Sequence, residues 1–335
     1  MKIGLLFVGQ GAQYSGMGKS LYENSKAAKE VFDEAGNQIK EWCFEGSEAT
    51  LKLTHVTQPC IYTVSMAAYQ AFCEAISKPD KMSCDSIEIA GVAGFSLGEY
   101  SALTAAGIIE NTKQGLSIVM QRGELMFNAG RDDNGNQKGG MFAAFGKRQD
   151  ILKCVDDARQ NGILEGVNFN SKTQTVVAGD KDALERFKQI ATESKIKVIP
   201  LNVSTAFHSP MMVPASEPIR QILLDSDLKM PKTKVYCNVT GDNMFSGKEI
   251  TSENLSEHVA NIMAKQTKSP IYWQETMENM ARDGIEIFIE MGPGNVLSGL
   301  VRKTLSEVTI LNVEDIESLD RTMQKLNKEL EKEKQ

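Results

Sequence analysis

Histidines, paired cysteines and long apolar runs are scarce or missing in this sequence. There are only three histidines in 335 residues, so chemistry that needs an imidazole has few candidates. None of the six cysteines forms a CxxC pair or has metal-type spacing with a histidine, which favours reduced, packed thiols and no metal site. No stretch approaches the roughly 18 apolar residues that cross a bilayer. We therefore expect a cytoplasmic protein without a membrane partner.

An excess of positive charge is also missing. The formal net charge is −7, whereas a nucleic-acid partner would need a strong basic field, so we expect none. The N-terminal apolar run at 3–8 is shorter than a signal-peptide core and ends in glycines, which predicts a buried strand instead. The balance of 41% hydrophobic and 24% charged residues is typical of a globular protein, here one large domain with an insert or two domains.

Alternating strand and helix patterns predict an α/β fold. In the first part of the chain, strands are predicted at 3–8 and 87–92, and helices at 19–39, 58–76, 99–106 and 112–128. A polar, glycine-rich connector at 131–140 precedes the order strand, helix, strand, strand, helix, strand, which is the ferredoxin-like order. Short β-branched runs at 235–238 and 285–289 predict a return to buried parallel strands.

These patterns divide the chain into three parts. Residues 1–130 and 201–312 are predicted to form a large α/β-hydrolase-like domain with a parallel sheet and a nucleophile elbow. Residues 131–200 are predicted to form a small ferredoxin-like domain inserted into it. The charged tail, residues 313–335, is predicted to be a solvated surface helix that frays.

The run GFSLG at 94–98 lies between a predicted buried strand and a predicted helix, which is the context of a nucleophile elbow. In such a turn, small residues two positions on either side of the serine let the strand and the helix approach each other. The hydroxyl then projects from the sheet edge, and the N–H of Leu97 points at the developing oxyanion. Ser96 is therefore the candidate nucleophile; the alternative is a glycine-rich turn with an incidental serine.

A serine nucleophile needs a general base, and three histidines make the search short. His208, in the run AFHSP, follows a strand predicted to end near residue 201, where α/β folds place catalytic groups. His55 precedes a helix and His258 lies in an amphipathic stretch, so both are expected to have surface or capping roles. His208 is the best candidate base.

Seven longer motifs extend from residue 8 to residue 300. They are VGQGAQYSGMG at 8–18, GFSLGEYSAL at 94–103, QRGELM at 121–126, GGMFAAFG at 139–146, VNFNSKTQTVVAGD at 167–180, AFHSPMM at 206–212 and EMGPGNVLSGL at 290–300. In this order and spacing, the chain resembles the malonyl-CoA:acyl-carrier-protein transacylases up to about residue 320. No single motif is specific, but the set is.

The resemblance implies a two-step transfer with no bound cofactor. Its substrates would be malonyl-CoA, a coenzyme A thioester, and the phosphopantetheine arm of an acyl carrier protein, in fatty-acid synthesis. Ser96 would attack the thioester with His208 as general base, and the carrier's thiol would then attack the malonyl-serine. The backbone N–H groups of Gln10 and Leu97 would form the oxyanion hole. Gln10 lies in a glycine turn after the first strand, a natural place for an exposed amide.

Two residues would select the acyl group. Considered by itself, Arg122 would be a solvent-facing arginine on a helix. The resemblance implies instead that its guanidinium binds the free carboxylate of the malonyl group through two parallel hydrogen bonds. Phe207 would be either a plain core aromatic or, as the resemblance implies, a bulky residue that disfavours a 2-methyl substrate.

Two positions depart from the family pattern. Phe95 stands beside the nucleophile where histidine is usual, which leaves its effect on substrate fit open. Tyr272 stands where some relatives carry an amide side chain. If a backbone carbonyl there orients His208, the change is harmless; if a side chain does, the orienting group is missing. No acidic third member of a triad is evident.

Partners and alternatives complete the expectations. Carrier proteins are acidic, so docking on this acidic chain needs a local basic patch, for which the candidates are Lys172, Lys195, Lys197, Arg302 and Lys303. A monomer is expected, as is common in the family.

A serine hydrolase or thioesterase acting on carrier-bound acyl groups also fits Ser96 and His208, but one acting on neutral chains has no use for Arg122. A non-catalytic carrier-binding module would form no acyl-serine.

Overall fold

Two β-sheets organise the computed structural model, which describes residues 1–77, 87–203 and 205–333. The strands are β1 (Lys2–Phe7), β2 (Glu88–Gly94), β3 (Gly139–Phe145), β4 (Leu164–Ser171), β5 (Gln174–Asp180), β6 (Lys197–Pro200), β7 (Lys234–Tyr236), β8 (Ile287–Met291) and β9 (Thr309–Val313). One sheet is parallel throughout, in the order β7-β2-β1-β8-β9. The other is antiparallel, in the order β4-β5-β3-β6. The predicted α/β class with a parallel sheet is confirmed.

Helices connect most of these strands. They are α1 (Lys19–Asn24), α2 (Lys26–Ala35), α3 (Asn37–Glu45), α4 (Glu48–Leu51), α5 (Thr54–Ile76), α6 (Gly98–Ala105), α7 (Thr112–Ala129), α8 (Arg148–Arg159), α9 (Lys181–Glu193), α10 (Val213–Leu224), α11 (Leu255–Thr267), α12 (Trp273–Arg282), α13 (Val296–Thr304) and α14 (Ile316–Glu333). The single helix predicted at 19–39 is wrong. The chain breaks at Ser25, whose hydroxyl caps α2, and at Gly36, which has a φ of 92°.

Strand β1 lies in the middle of the parallel sheet, between β2 and β8. Its residues from Ile3 to Phe7 are all buried, which explains why the sequence there is a continuous apolar run rather than an alternating one. The register pairs Phe7 with Gly94 on one side and with Met291 on the other, so three strands end at the same level. The loops that follow them leave the sheet at one edge, where open α/β sheets bind their ligands.

The antiparallel sheet has its own apolar cluster, to which α8 and α9 contribute Val155 and Phe187. A short bridge joins it to the segment that follows α11. The N–H of Phe169 donates to the carbonyl of Ile271 at 2.9 Å, and the N–H of Ile271 donates to the carbonyl of Val167 at 2.8 Å. This bridge fixes β4 beside the edge at which the parallel strands end.

The C-terminal helix α14 is not a solvated helix. Leu319, Met323, Leu326 and Leu330 are buried and belong to the main apolar core. Their spacing of three to four residues places them on one face, and the charged residues between them face outward. The prediction of a fraying surface helix is therefore wrong, because the high charge of the tail masked this stripe.

The cysteines within the described ranges are all unpaired; they are Cys43, Cys60, Cys73, Cys154 and Cys237. Cys84 lies outside the described residues. Among the helices described, none is long and apolar enough to cross a membrane. No group of histidine, cysteine and acidic side chains in the described part of the chain is placed to hold a metal ion.

Candidate active site

The turn after β2 requires both of its glycines. A Cβ on Gly94 would lie 1.9 Å from the backbone of Gly98, and a Cβ on Gly98 would lie 2.1 Å from the carbonyl oxygen of Phe7. Either contact is impossible without moving the backbone. Between them, Ser96 has a φ of 52°. This left-handed conformation is energetically unfavourable for a residue with a Cβ. The turn thus holds the serine under strain at the edge where the parallel strands end.

His208 is hydrogen-bonded to this serine, with 2.7 Å between its Nε2 and the Ser96 Oγ. On the other side of the ring, Nδ1 lies 2.9 Å from the backbone carbonyl oxygen of Gln266. A carbonyl can only accept, so Nδ1 carries the proton and Nε2 can accept from the serine. Burial lowers the pKa of His208 to about 4; the charge of Arg122 adds to this, and the Gln266 hydrogen bond opposes it. The imidazole is therefore neutral at pH 7.

The other two histidines lie elsewhere. His55 packs edge-on against Phe127 and lies 3.9 Å from Glu124. His258 donates from Nε2 to the carbonyl of Met244 at 2.9 Å. Only His208 is brought to Ser96, although the strand before its loop, β6, belongs to the antiparallel sheet and not to the parallel one.

The backbone carbonyl of Gln266 orients His208, and a backbone hydrogen bond to Ser269, three residues before Tyr272, adds to it. Gln266 lies in the last turn of α11, where carbonyl oxygens have no partner within the helix and are free to accept from a side chain. The ring of Tyr272 instead packs on Phe169, with 5.3 Å between the ring centroids. The change from an amide to tyrosine at 272 therefore leaves the orienting group intact.

Arg122 is buried, with 1% of its surface exposed, so the solvent-facing interpretation is wrong. It donates from Nη1 to Gln58 Oε1 at 2.8 Å and from Nη2 to Gln266 Oε1 at 3.3 Å. The same Nη2 lies 3.4 Å from Ser96 Oγ, and the guanidinium lies over the ring of Tyr100. Its Nε has no partner, and within the described ranges no carboxylate pairs with it. A desolvated cation held beside a serine hydroxyl by neutral amides is suited to receive an anion from outside.

Two residues with free backbone N–H groups line the same cavity. Gln10, in the turn after β1, and Leu97, directly after the serine, both line it together with Ser96. Neither N–H donates to another group in the part of the chain that is described. This is the arrangement an oxyanion hole needs, since its donors must be free until negative charge develops.

Two polar residues that the sequence did not single out hold the serine's own peptide groups. The N–H of Ser96 donates to Asn238 Oδ1 at 2.7 Å, and Asn238 Nδ2 donates to the carbonyl of Gly94 at 2.7 Å. The carbonyl of Ser96 accepts from Gln266 Nε2 at 2.7 Å. Asn238 is the last residue of the strand predicted at 235–238 and lies two residues after the end of β7; its position at a strand end is the one signal that could have pointed to it.

Apolar side chains form most of the rest of the cavity around Ser96, with Gln58 and Asn168 as polar exceptions. The apolar side chains are Phe95, Met126, Met141, Leu201, Val203 and Phe207. Phe207 is 7% exposed and precedes His208, so it limits the space beside the nucleophile. A small acyl group with a terminal carboxylate fits this combination of apolar walls and one buried cation.

A second cavity continues from the first between the two sheets. The two share Gln10, Phe95, Asn168 and Leu201, and the second also reaches α13. Phe95 lies where they meet and packs against the buried Trp273, with ring centroids 5.3 Å apart. Together the cavities form a channel that leads from α13 to the serine, and we refer to the two as the channel.

Comparison with known proteins agrees with this geometry. The family model described as the acyl transferase domain matches residues 5–333, which places the chain among the acyl transferases as a class. The malonyl CoA-acyl carrier protein transacylase of Bacillus subtilis strain 168 is 36% identical over 335 residues, covering 98% of each chain. That of Escherichia coli K12 is 30% identical over 310 residues, covering 91% of this chain and 93% of its own. The chain belongs to the malonyl CoA-acyl carrier protein transacylase family.

Solved structures of similar proteins share the whole fold. The malonyl CoA-acyl carrier protein transacylase from Clostridium perfringens superposes with a TM-score of 0.88 at 34% identity, over 100% of both chains. A malonyl-transacylase in complex with a type II polyketide acyl-carrier protein has a TM-score of 0.85 at 30% identity, covering 97% of this chain and all of that one. The expectations of a hydrolase or a non-catalytic module find no support in these matches.

Proposed function

We propose that this chain transfers malonyl from malonyl-CoA to the phosphopantetheine thiol of an acyl carrier protein, through a malonyl-serine at Ser96, and so supplies fatty-acid chain elongation. The observation that carries this proposal is the guanidinium of Arg122, buried and in contact with no carboxylate among the described residues, 3.4 Å from a serine hydroxyl that is bonded to a neutral histidine. The names of the relatives, and the carrier complex formed by one of them, support the same substrates.

The first half-reaction moves the acyl group to the enzyme. His208 Nε2 takes the proton of Ser96 as Oγ attacks the thioester carbonyl carbon. The carbonyl oxygen becomes an oxyanion between the N–H groups of Gln10 and Leu97. The carbon–sulfur bond then breaks, and His208 returns its proton to the leaving thiolate of coenzyme A. The products are malonyl-Ser96 and free coenzyme A.

The second half-reaction reverses these roles. The carrier's phosphopantetheine thiol gives its proton to His208 Nε2 as its sulfur attacks the ester carbonyl of malonyl-Ser96. The same two amides hold the oxyanion. When the carbon–oxygen bond breaks, His208 returns the proton to Ser96 Oγ, which restores the free enzyme.

Arg122 and Phe207 select the acyl group in this proposal. The free carboxylate of malonyl pairs with the guanidinium, whose other donors are held by Gln58 and Gln266. An acetyl group leaves the same cation buried and unpaired, which disfavours it. Phe207 crowds the carbon that would carry a methyl in a 2-methyl analogue.

The phosphopantetheine arm, which belongs to both substrates, fits the channel. Asn168 and Asn170 line the channel, and each has a side-chain oxygen that is buried and has no partner. These oxygens can accept from the amide N–H groups of the arm. The opposite wall, formed by Leu297 and Leu300, is apolar and offers those N–H groups no acceptor. No bound cofactor is part of the proposal.

Replacing Asn170 with leucine tests this role. We expect KM for malonyl-CoA and for the carrier to rise about five- to tenfold, because one hydrogen bond to the arm is lost. Thermal stability should hold or rise, since an unpartnered buried oxygen is removed. Steady-state kinetics and thermal melting provide both values. Thr175→Val is the matched control: it removes another buried, unpartnered oxygen outside the channel, and KM should not change. Unchanged KM in Asn170→Leu would contradict the assignment.

The low pKa of His208 sets an expected pH profile. Only the neutral imidazole can act as the base, and its pKa is lowered from the ordinary 6.5 to about 4. The rate of Ser96 loading should therefore stay nearly constant as pH falls from about 7 to about 5, and drop only as pH approaches 4. The kcat/KM for loading, followed by mass spectrometry with the fold checked by circular dichroism at each pH, tests this. A midpoint near 6.5 would show a solvated histidine instead.

The finer architecture is also proposed. The strand order β4-β5-β3-β6, with α8 and α9 as its connections, supports a ferredoxin-like domain at 131–200 inserted into an α/β-hydrolase-like domain formed by 1–130 and 201–312, with a C-terminal helix in 313–335. We also propose a cytoplasmic monomer, because the sequence has no long apolar run and monomers are common in the family. The exposed Lys172, Arg302 and Lys303 flank the elements that line the channel and support a carrier-docking patch, to which Lys195 and Lys197 would add.

A further inference from the structure

Glu99 is a fully buried carboxyl group on α6, one turn after the nucleophile. Its Oε1 accepts from the backbone N–H of Asn238 at 3.2 Å, and its Oε2 accepts from Gln266 Nε2 at 3.0 Å. These are the two residues that hold the N–H and the carbonyl of Ser96. We infer that Glu99 is a positioning residue of the transfer reaction, which fixes the strained Ser96 turn and the Arg122 guanidinium through Asn238 and Gln266. The inference rests on the proposed function.

The first arm of this network runs through Asn238. Glu99 holds the backbone of Asn238, while the side chain of Asn238 accepts from the N–H of Ser96 and donates to the carbonyl of Gly94. The Asn238 amide therefore spans the left-handed turn. Since a φ of 52° is unfavourable for serine, the turn persists only where its surroundings hold it on both sides.

The second arm runs through Gln266, which has four contacts in the site. Its Nε2 donates to Glu99 and to the carbonyl of Ser96, and its Oε1 accepts from Arg122. Its backbone carbonyl accepts from His208. Rotation of the Gln266 amide would break three of these contacts at once, and the hydrogen bond to Glu99 fixes which end of the amide faces Arg122.

The contacts of Glu99 favour a carboxylate over a neutral amide or acid. Both oxygens accept, and within the described ranges Glu99 donates to nothing. Burial raises the pKa of this carboxyl to about 8, while the two hydrogen bonds and the charge of Arg122 act to lower it. Because both oxygens face N–H donors and neither faces an acceptor within the described ranges, both contacts are complete only in the ionised form, which is increasingly populated as pH rises towards 8.

The variant Glu99→Gln tests the inference, because its NH₂ must face either the N–H of Asn238 or the NH₂ of Gln266. We expect the single-turnover rate of malonyl loading at saturating malonyl-CoA to fall about tenfold or more, and the preference for malonyl over acetyl to fall as well. The final loading should still reach one malonyl per chain by intact mass, which separates a slow site from a partly unfolded sample.

Glu290→Gln is the matched control. Glu290 is equally buried and likewise has both oxygens engaged, here by the backbone N–H groups of Leu297 and Ser298. It should lower thermal stability in the same way while leaving the loading rate and the acyl preference unchanged. If Glu99→Gln loses only stability, as this control does, Glu99 is merely structural and the inference is overturned.

If Glu99→Gln does not fold, Gln266→Met provides the second test. Methionine has nearly the shape of glutamine and leaves the backbone carbonyl to His208 in place, but it cannot connect Glu99, Ser96 and Arg122. The same loss of rate and of acyl preference is expected, and wild-type values would overturn the inference. If the wild-type chain itself forms no malonyl-Ser96, the proposed function is wrong. If the wild type and both variants all load malonyl at the same rate, the proposed function stands and only the inferred role of Glu99 is wrong.

Discussion

Arg122→Ala should lower the rate of malonyl loading onto Ser96 about 100-fold, which corresponds to the loss of about 3 kcal/mol from a buried carboxylate–guanidinium pair. Loading from acetyl-CoA should hold or rise, because the variant no longer leaves a desolvated cation beside a neutral acyl group. Single-turnover loading with each thioester, read by intact mass, gives both rates.

Arg122→Lys is the control for charge. Lysine keeps the cation but cannot form two parallel hydrogen bonds to a carboxylate or reach Gln58 and Gln266 with a planar group. Its malonyl rate should lie between those of the wild type and Arg122→Ala. Unchanged malonyl loading in Arg122→Ala would show that the guanidinium is not the carboxylate site. Thermal melting of each variant separates a lost contact from a lost fold.

Ser96→Ala should abolish loading entirely, because no other group in the site can form the ester. The contacts of Ser96 Oγ are the hydrogen bonds with Arg122 and His208. Its removal therefore breaks these two and leaves the backbone contacts of the turn in place. Incubation with malonyl-CoA followed by intact-mass spectrometry should show no added mass. Ser117→Ala, an exposed serine on α7, is the control and should load fully. A malonyl adduct on Ser96→Ala would place the nucleophile elsewhere.

The candidate nucleophile and its candidate base could be predicted because the features that mark them are local. The run GFSLG has glycine at 94 and 98 because a Cβ at either position would clash with the backbone, and these glycines can be read from the sequence. The apolar run before them and the helical pattern after them can be read there as well. His208 was identified by elimination among three histidines and by its place after a strand. The parallel strands were equally visible, since burial on both faces produces short, continuous apolar runs.

The groups that support the site could not be predicted in this way. The guanidinium of Arg122 is buried where it meets Gln58 and Gln266 from two other helices, and no pattern within α7 reports that. Asn238, Gln266 and Glu99 meet across more than a hundred residues of chain, and each of them would be an ordinary polar residue in its own segment. The burial of α14, in contrast, could have been predicted. Its apolar residues recur every three to four positions in the sequence, but the high charge of the segment led to the prediction of a solvated helix.

Intact-mass spectrometry of the wild-type chain, given malonyl-CoA and acetyl-CoA in equal amounts, tests the central claim most directly. The proposed function predicts one added malonyl group per chain, little acetyl, and a modified peptide that contains Ser96 after proteolysis. Addition of purified, phosphopantetheinylated carrier protein should then remove the adduct and transfer it to the carrier. No adduct, an adduct on another residue, or a preference for acetyl would contradict it.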